Sequence, residues 1–119
     1  MNICIHRGAS HVGGTCIELE AEGQSLFLDA GLPFDVPPGT NEEDLVPFAA
    51  FTNPDGTRKS VAGLCLSHAH PDHYGLIKYL PEHIPIYSGK NTLGLICAMN
   101  MVQGKDMRIE GYRHFESLL

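Results

Sequence analysis

Tryptophan, long apolar runs and basic clusters are all missing from this chain. No apolar stretch approaches the ~20 residues that a bilayer-spanning helix needs, so no membrane segment is expected. The N-terminus lacks the charged start and long apolar run of a signal peptide, so none is expected there either. Basic residues number 8 against 14 acidic ones, and they form no group larger than Arg58-Lys59. This distribution argues against an extended nucleic-acid surface on this part of the protein.

Cysteine pairs are missing too. The four cysteines lie far apart, form no C-x-x-C motif and each occur in an apolar context: Cys4, Cys16, Cys65 and Cys97. The spacing therefore predicts no disulfide framework, and we expect core thiols in a protein of the reducing cytoplasm. The glycine-rich segment 8–14 has neither the G-x-x-x-x-G-K-[ST] nor the G-x-G-x-x-G pattern, which excludes a nucleotide loop there.

The composition that is present describes one globular domain over residues 1–119, with 43% hydrophobic and 18% charged residues. The predicted element order is hairpin, long loop, strand, helix, strand, helix, which indicates an α/β layer. The long loop, residues 30–60, holds five of the eight prolines. Three phenylalanines suggest that it packs down on the core: Phe34, Phe48 and Phe51.

The N-terminal part predicts a strand at residues 3–5 and a hairpin of residues 15–20 and 25–28. Strict alternation in the first hairpin strand indicates a half-buried strand. The inward positions would be Ile17 and Leu19, and the outward positions Glu18 and Glu20.

The C-terminal part opens with a continuous apolar run, Val61–Leu66, which predicts a strand buried on both faces. A helix should follow as far as about Leu80, where Pro81 ends it. A short strand at residues 84–87 and a helix from residue 88 to Gly104 come next. The core face of that helix would be Leu93, Ile96, Cys97 and Met101. Residues 106–113 begin another predicted strand.

Between that apolar run and the first helix lies the segment Ser67–Gly75, called here the metal loop. It carries three histidines and an aspartate in the pattern His68-x-His70-x-Asp72-His73. Imidazole and carboxylate groups are ligands for zinc and similar divalent ions. The alternative is a polar surface loop in which histidines cluster by accident.

The spacing favours two adjacent metal ions. His68 and His70 leave the strand two residues apart and project to the same side. Pro71 suits the first position of a helix, which places Asp72 and His73 in its first turn. Two pairs of ligands aimed at neighbouring points suggest two metals about 3.5–4 Å apart that clamp a hydroxide.

This motif, after an apolar strand and before a helix, resembles the metal motif of the metallo-β-lactamase-fold hydrolases. Residues 13–20 and 26–31 also resemble that family's opening hairpin, and the pattern is most similar to the ribonuclease J-like branch. The resemblance implies one half of an αββα sandwich, truncated after its first half. It also implies that Asp29, at the end of a hairpin strand, orients the metal loop; the alternative is a turn aspartate bonded to its own backbone.

The resemblance further implies a metal-dependent hydrolase that cleaves phosphodiester (RNA-like) or ester bonds. His68 and His70 would bind the first Zn²⁺, Asp72 and His73 the second, with Mn²⁺ as a possible substitute and Asp72 as the catalytic candidate. The family completes its site with a further His, a bridging Asp and a final His. His114 is an unconvincing substitute for the missing third histidine. The alternative is a non-catalytic metal-binding remnant, or a half-domain that needs a second half-domain or a second copy to cover its sheet.

The remaining histidines are less promising as ligands. His6 and His11 could approach a metal, but solvated or hydrogen-bonded loop histidines are favoured at both positions. His83 is expected on the surface.

Overall fold

The computed structural model describes residues 1–105 and a short strand at residues 112–114. The strands in this part of the chain are β1 (Asn2–Arg7), β2 (Cys16–Ala21), β3 (Gln24–Leu28), β4 (Val61–Cys65), β5 (Ile86–Ser88) and β6 (Tyr112–His114). The α-helices are α1 (Pro71–Tyr74) and α2 (Lys90–Val102), and 3-10 turns lie at Glu42–Leu45, Phe48–Phe51 and Ile77–Tyr79. No helix in the described ranges is long and apolar enough to cross a bilayer.

The described strands form one six-stranded sheet in the order β1-β2-β3-β4-β5-β6. The first three are antiparallel neighbours, and β3 to β6 run parallel. The predicted hairpin is confirmed. Because β3 and β4 are parallel, their carboxyl ends meet at the same edge of the sheet, and there Asp29 lies beside the start of the metal loop. The α/β half-sandwich expected from the sequence is the observed architecture.

One face of the sheet, the covered face, packs against the long loop and α2. Phe27, Leu64, Ile86 and Ile96 are fully buried there, and the Phe27 ring stacks on Phe51 at 4.2 Å between centroids. The covered face also buries Glu18, which is 3% exposed. The prediction that Glu18 points to solvent is therefore wrong. The alternation was identified correctly, but the loop covers the Glu18 side of the strand.

The other side of the sheet, the open face, is apolar and uncovered in the described part of the chain. The register aligns Ile3 with Leu19 and Ile5 with Ile17, and the same side continues across β3 to β5. None of its members is buried. They are Ile3, Ile5, Ile17, Leu19, Leu26, Leu28, Cys65 and Tyr87. Ile3 and Ile5 on the edge strand are 63% and 53% exposed.

The helix predicted up to about Leu80 is interrupted. α1 makes a single turn and ends at Tyr74, because the Leu76 N–H donates to the Ala30 carbonyl (3.0 Å) and leaves the helical pattern. A 3-10 turn at Ile77–Tyr79 then carries the chain to Leu80. Leu76, Ile77 and Leu80 are nevertheless buried in the core.

Several smaller predictions also need correction. Phe34 and Phe48 are exposed, and of the three phenylalanines Phe51 alone is buried in the core. β4 is not buried along its whole length, because Ala62 is exposed. Cys4 is exposed rather than a core thiol. On α2, Ile96 is buried but Met101 is exposed. The strand predicted for residues 106–113 is described only at Tyr112–His114, and the His114 side chain lies outside the described part.

Candidate metal centre

The backbone of the metal loop is held by hydrogen bonds from two neighbouring segments. The Ala30 N–H donates to the His73 carbonyl (2.9 Å), and the Leu32 N–H donates to the Pro71 carbonyl (2.9 Å). The N–H of Thr15, the residue before β2, donates to the Asp72 carbonyl (3.1 Å). The loop is therefore fixed by the exit of β3 and the entry of β2.

Gly31 is needed for this approach. A Cβ atom at this position would lie 1.6 Å from the Asp72 carbonyl oxygen and 2.8 Å from the Thr15 nitrogen. No side chain can occupy that space, so the two segments meet in this way only with glycine at position 31.

Asp29 joins β3 to the metal loop through its buried carboxylate. One oxygen accepts the Ser67 backbone N–H (2.8 Å), and the other accepts the Ser67 hydroxyl (2.8 Å) and the His73 Nδ1–H (2.7 Å). The Asp29 backbone has φ 61°, the left-handed region that aspartate and asparagine tolerate better than most residues. A carboxylate that orients a histidine in this way is the usual outer partner of a metal-binding imidazole.

The hydrogen-bond partners of His68 and His73 indicate which nitrogen of each of these two rings carries a hydrogen. An ionised carboxylate only accepts, so His73 Nδ1 donates to Asp29 and the neutral ring has a lone pair on Nε2. Ser67 gives its hydroxyl hydrogen to Asp29, so His68 Nδ1, 3.0 Å away, donates to the Ser67 oxygen. Both histidines therefore present Nε2 as the acceptor nitrogen.

The side chains of the motif lie close together at the carboxyl end of β4. The His68 ring centroid lies 3.9 Å from that of His73 and 4.8 Å from that of His70. Asp72 Oδ2 lies 3.4 Å from His73 Nε2. The three rings therefore lie next to one another.

The donor set fits a divalent cation such as zinc. His73 Nε2 and Asp72 Oδ2 both carry lone pairs and face each other. The repulsion between these lone pairs is removed by a proton on the imidazole or by a cation bound to both atoms. Within residues 1–105, however, no three His, Cys, Asp or Glu side chains are arranged as a ready ligand group for one ion. The chemistry of the donors supports metal binding, and the described residues supply only part of a coordination shell.

Sequence reasoning found four residues of this cluster and Asp29, but it missed Ser67. The hydroxyl of Ser67 connects Asp29, His68 and His73. Its position directly before the first histidine was the only available signal. His11 and His83 are exposed, as expected. His6 is hydrogen-bonded, to Glu18 at 2.7 Å, but it lies in β1 and not in a loop.

Comparisons with known proteins show which family this chain resembles. The family model of the metallo-β-lactamase superfamily matches residues 12–95. Ribonuclease J of Helicobacter pylori, in three strains, is 29% identical over 91 residues, which are 75% of this chain. The chain spans only 13% of the length of those relatives. A solved structure of a protein of unknown function from Enterococcus faecalis overlaps 84% of this chain and 28% of its own, with TM-score 0.66 and 25% identity.

The match to the family model runs from the loop before β2, through the metal loop, into α2. It thus includes every element that positions the candidate metal centre. This chain belongs to the metallo-β-lactamase superfamily.

Proposed function

We propose that this chain is the metal-binding part of a metal-dependent hydrolase that cleaves phosphodiester bonds, as in RNA, or ester bonds. The observation that carries the proposal is the line of contacts from Asp29 through His73 to Asp72, with His68 beside it. The superfamily includes hydrolases, and its members generally bind metal ions, usually zinc.

The ligands divide into two pairs in this proposal. His68 and His70 bind the first ion, and Asp72 and His73 bind the second; zinc is the expected metal and manganese the alternative. When bound, such ions supply Lewis-acid polarisation of a substrate oxygen and acidify water. The chain's own contribution is orientation: Asp29 and Ser67 hold the His68 and His73 rings with Nε2 free.

Asp72 is the proposed catalytic residue. Its carboxylate faces His73 Nε2 at 3.4 Å, and its side chain is 14% exposed. It is therefore accessible to substrate while its backbone carbonyl is fixed by Thr15. A carboxylate that the substrate can reach is able to accept a proton during hydrolysis.

RNA is the favoured substrate because of the similarity to ribonuclease J. The chain carries a net charge of −6. Binding a polyanion therefore requires basic groups from elsewhere in the complete protein. The open face supports a complete protein with a second half-domain, or a second copy, packed on these apolar strands. The free cysteines agree with a cytoplasmic location.

The test is a phosphodiesterase assay with a chromogenic phosphodiester and with RNA. We expect the 119-residue chain alone to turn over hardly above background, and turnover to appear when a complete second half is supplied in trans. His70→Ala should abolish that turnover, whereas the matched change His83→Ala, at an exposed histidine outside the cluster, should not. Turnover that survives His70→Ala would contradict the proposal.

A further inference from the structure

A second cluster of reactive side chains lies on the covered face, away from the metal loop. Glu18 is buried among three donors: Lys59 Nζ (2.7 and 2.9 Å), the Ser25 hydroxyl (2.5 Å) and His6 Nε2 (2.7 Å). The other nitrogen of the same imidazole, His6 Nδ1, lies 3.9 Å from Cys4 Sγ. The imidazole therefore lies between the thiol and the carboxylate and contacts both.

A β-bulge in β1 helps to position this imidazole. Ile5 pairs with Ile17 and Arg7 with Cys16, so His6 is the extra residue of the edge strand. Bulges of this kind re-aim a side chain locally. The His6 ring also stacks against Phe27 at 6.0 Å between centroids, which limits its rotation.

The hydrogen-bond partners of His6 leave its Nδ1 atom able to accept a proton from the Cys4 thiol. The Glu18 carboxylate accepts from Nε2–H, which leaves the lone pair on Nδ1 directed towards Cys4. The carboxylate also stabilises the imidazolium that forms when Nδ1 takes a proton, as the third group of a nucleophile–base pair does. The other charged and titratable groups near the cluster are Lys59, Arg7 and Cys16.

Accessibility distinguishes Cys4 from two of the other cysteines. Cys4 is exposed at the edge of the sheet, whereas burial raises the pKa of Cys16 to about 11 and raises that of Cys65. Because Cys4 shares the side of Glu18, it stays accessible when a partner covers the open face.

We propose that Cys4, His6 and Glu18 form a thiol-activation triad, which makes Cys4 a site of reversible modification by small disulfides such as glutathione disulfide. The Cys4 proton passes to His6 Nδ1, and the thiolate attacks one sulfur of the disulfide. A new S–S bond forms at Cys4 Sγ as the bond within the reagent breaks. The released thiolate takes the proton back from the imidazolium.

The experiment follows the rate of glutathione addition at each cysteine by peptide mass spectrometry, with glutathione disulfide as the probe. At about pH 7, Cys4 should react at least roughly tenfold faster in the folded chain than in the same chain unfolded in urea, because only the fold supplies the base. His6→Gln should remove that advantage, and His83→Gln, the matched exposed control, should keep it. At about pH 10, at which free thiols are ionised, His6→Gln and wild type should react alike.

Two results would overturn the proposal. One is a Cys4 rate in the folded wild type that does not exceed its rate in the unfolded chain. This comparison needs no variant, so it decides the matter even where His6→Gln does not fold. The other is a folded His6→Gln variant that keeps the wild-type rate at about pH 7, which would attribute the reactivity to exposure alone.

Discussion

At the scale of single residues, the candidate metal centre depends on a carboxylate outside the His-x-His-x-Asp-His motif. Asp29 contacts Ser67 twice and His73 once, and it thereby fixes both the loop backbone and one ring. The motif and Asp29 could be proposed from the sequence, because residue type and position after a strand suggest them. The Ser67 bridge could not, since a hydroxyl beside a histidine is common in loops and has no distinctive spacing.

Replacing Asp29 by asparagine tests its role in orienting His73. Asparagine tolerates the same left-handed backbone, so the change removes the charge without adding strain. Zinc affinity should fall by about 10–100-fold, as losses of outer partners do. Calorimetric titration measures it, with Asp44→Asn as the control for charge at an exposed site. Equal affinities for both variants would show that Asp29 does not support the centre.

Glu18 should make the stability of the protein depend on pH. Burial acts to raise its pKa, but the hydrogen bonds from Lys59, Ser25 and His6 outweigh burial and hold that pKa below the usual 4.5. A carboxyl with a lowered folded-state pKa stabilises the protein above its unfolded-state pKa, and that contribution is lost as the pH falls through the folded-state value.

Glu18→Gln should therefore destabilise the chain at about pH 7, by about 1–3 kcal/mol for a broken buried hydrogen-bond network. The difference from wild type should shrink as the pH falls through the lowered folded-state pKa of Glu18, where the wild-type carboxyl also loses its charge. Thermal unfolding of both proteins at a series of pH values measures this difference in stability. Glu20→Gln, two residues along the same strand and exposed, is the control and should be neutral. A Glu18→Gln effect independent of pH would contradict this account.

At the scale of elements, contacts between segments that are distant in the sequence determine where a helix ends and which face of a strand is buried. Sequence periodicity alone does not determine either. The sequence predicted the strands of the hairpin, β4, β5 and α2, because their apolar patterns are strong. It predicted one helix over residues 71–80, whereas the structure has two short helical pieces there. The sequence pattern could not show this break, because the hydrogen bond that causes it joins Leu76 to Ala30 in a distant segment. The assignment of the inward and outward faces of β2 was wrong for a similar reason. Alternation shows that the two faces of a strand differ, but the packing of the long loop determines which face is covered.

Gly31→Ala tests the contact between the β3 exit and the metal loop. The added methyl group would overlap the Asp72 carbonyl oxygen, so unfolding free energy should fall by more than about 3 kcal/mol, beyond ordinary overpacking. Urea denaturation measures the change. Gly94→Ala on α2 is the matched control, because a Cβ there meets nothing within 4 Å. It should be neutral or stabilising by about 0.5–1 kcal/mol; similar losses for both variants would rule out the steric account.

At the scale of the whole molecule, the apolar open face is the surface on which the proposed second half-domain or second copy would pack. The half-sandwich could be predicted from the motif and the element order. The extent of the open face could not, because it depends on the register of five strands and on which side the long loop packs. The chain spans 13% of the ribonuclease J relatives, so a covering half-domain elsewhere in a complete protein is consistent with this surface.

The isolated chain should therefore self-associate. Sedimentation should show mass increasing with concentration, and the double variant Ile3→Ser with Ile5→Ser should shift the chain towards monomer, because both side chains are exposed on the open face. Val12→Ser, also at an exposed apolar residue but outside the sheet, should leave association unchanged. A wild type that stays monomeric at every concentration would contradict the half-sandwich interpretation.

The most direct test of the central claim, that the metal loop binds a divalent ion through its histidines, is a calorimetric zinc titration of the folded chain. Wild type should bind zinc weakly, because the described residues supply an incomplete shell. His70→Ala should lose that binding, and His83→Ala should retain it. Zinc binding of equal strength in wild type and His70→Ala would contradict the account.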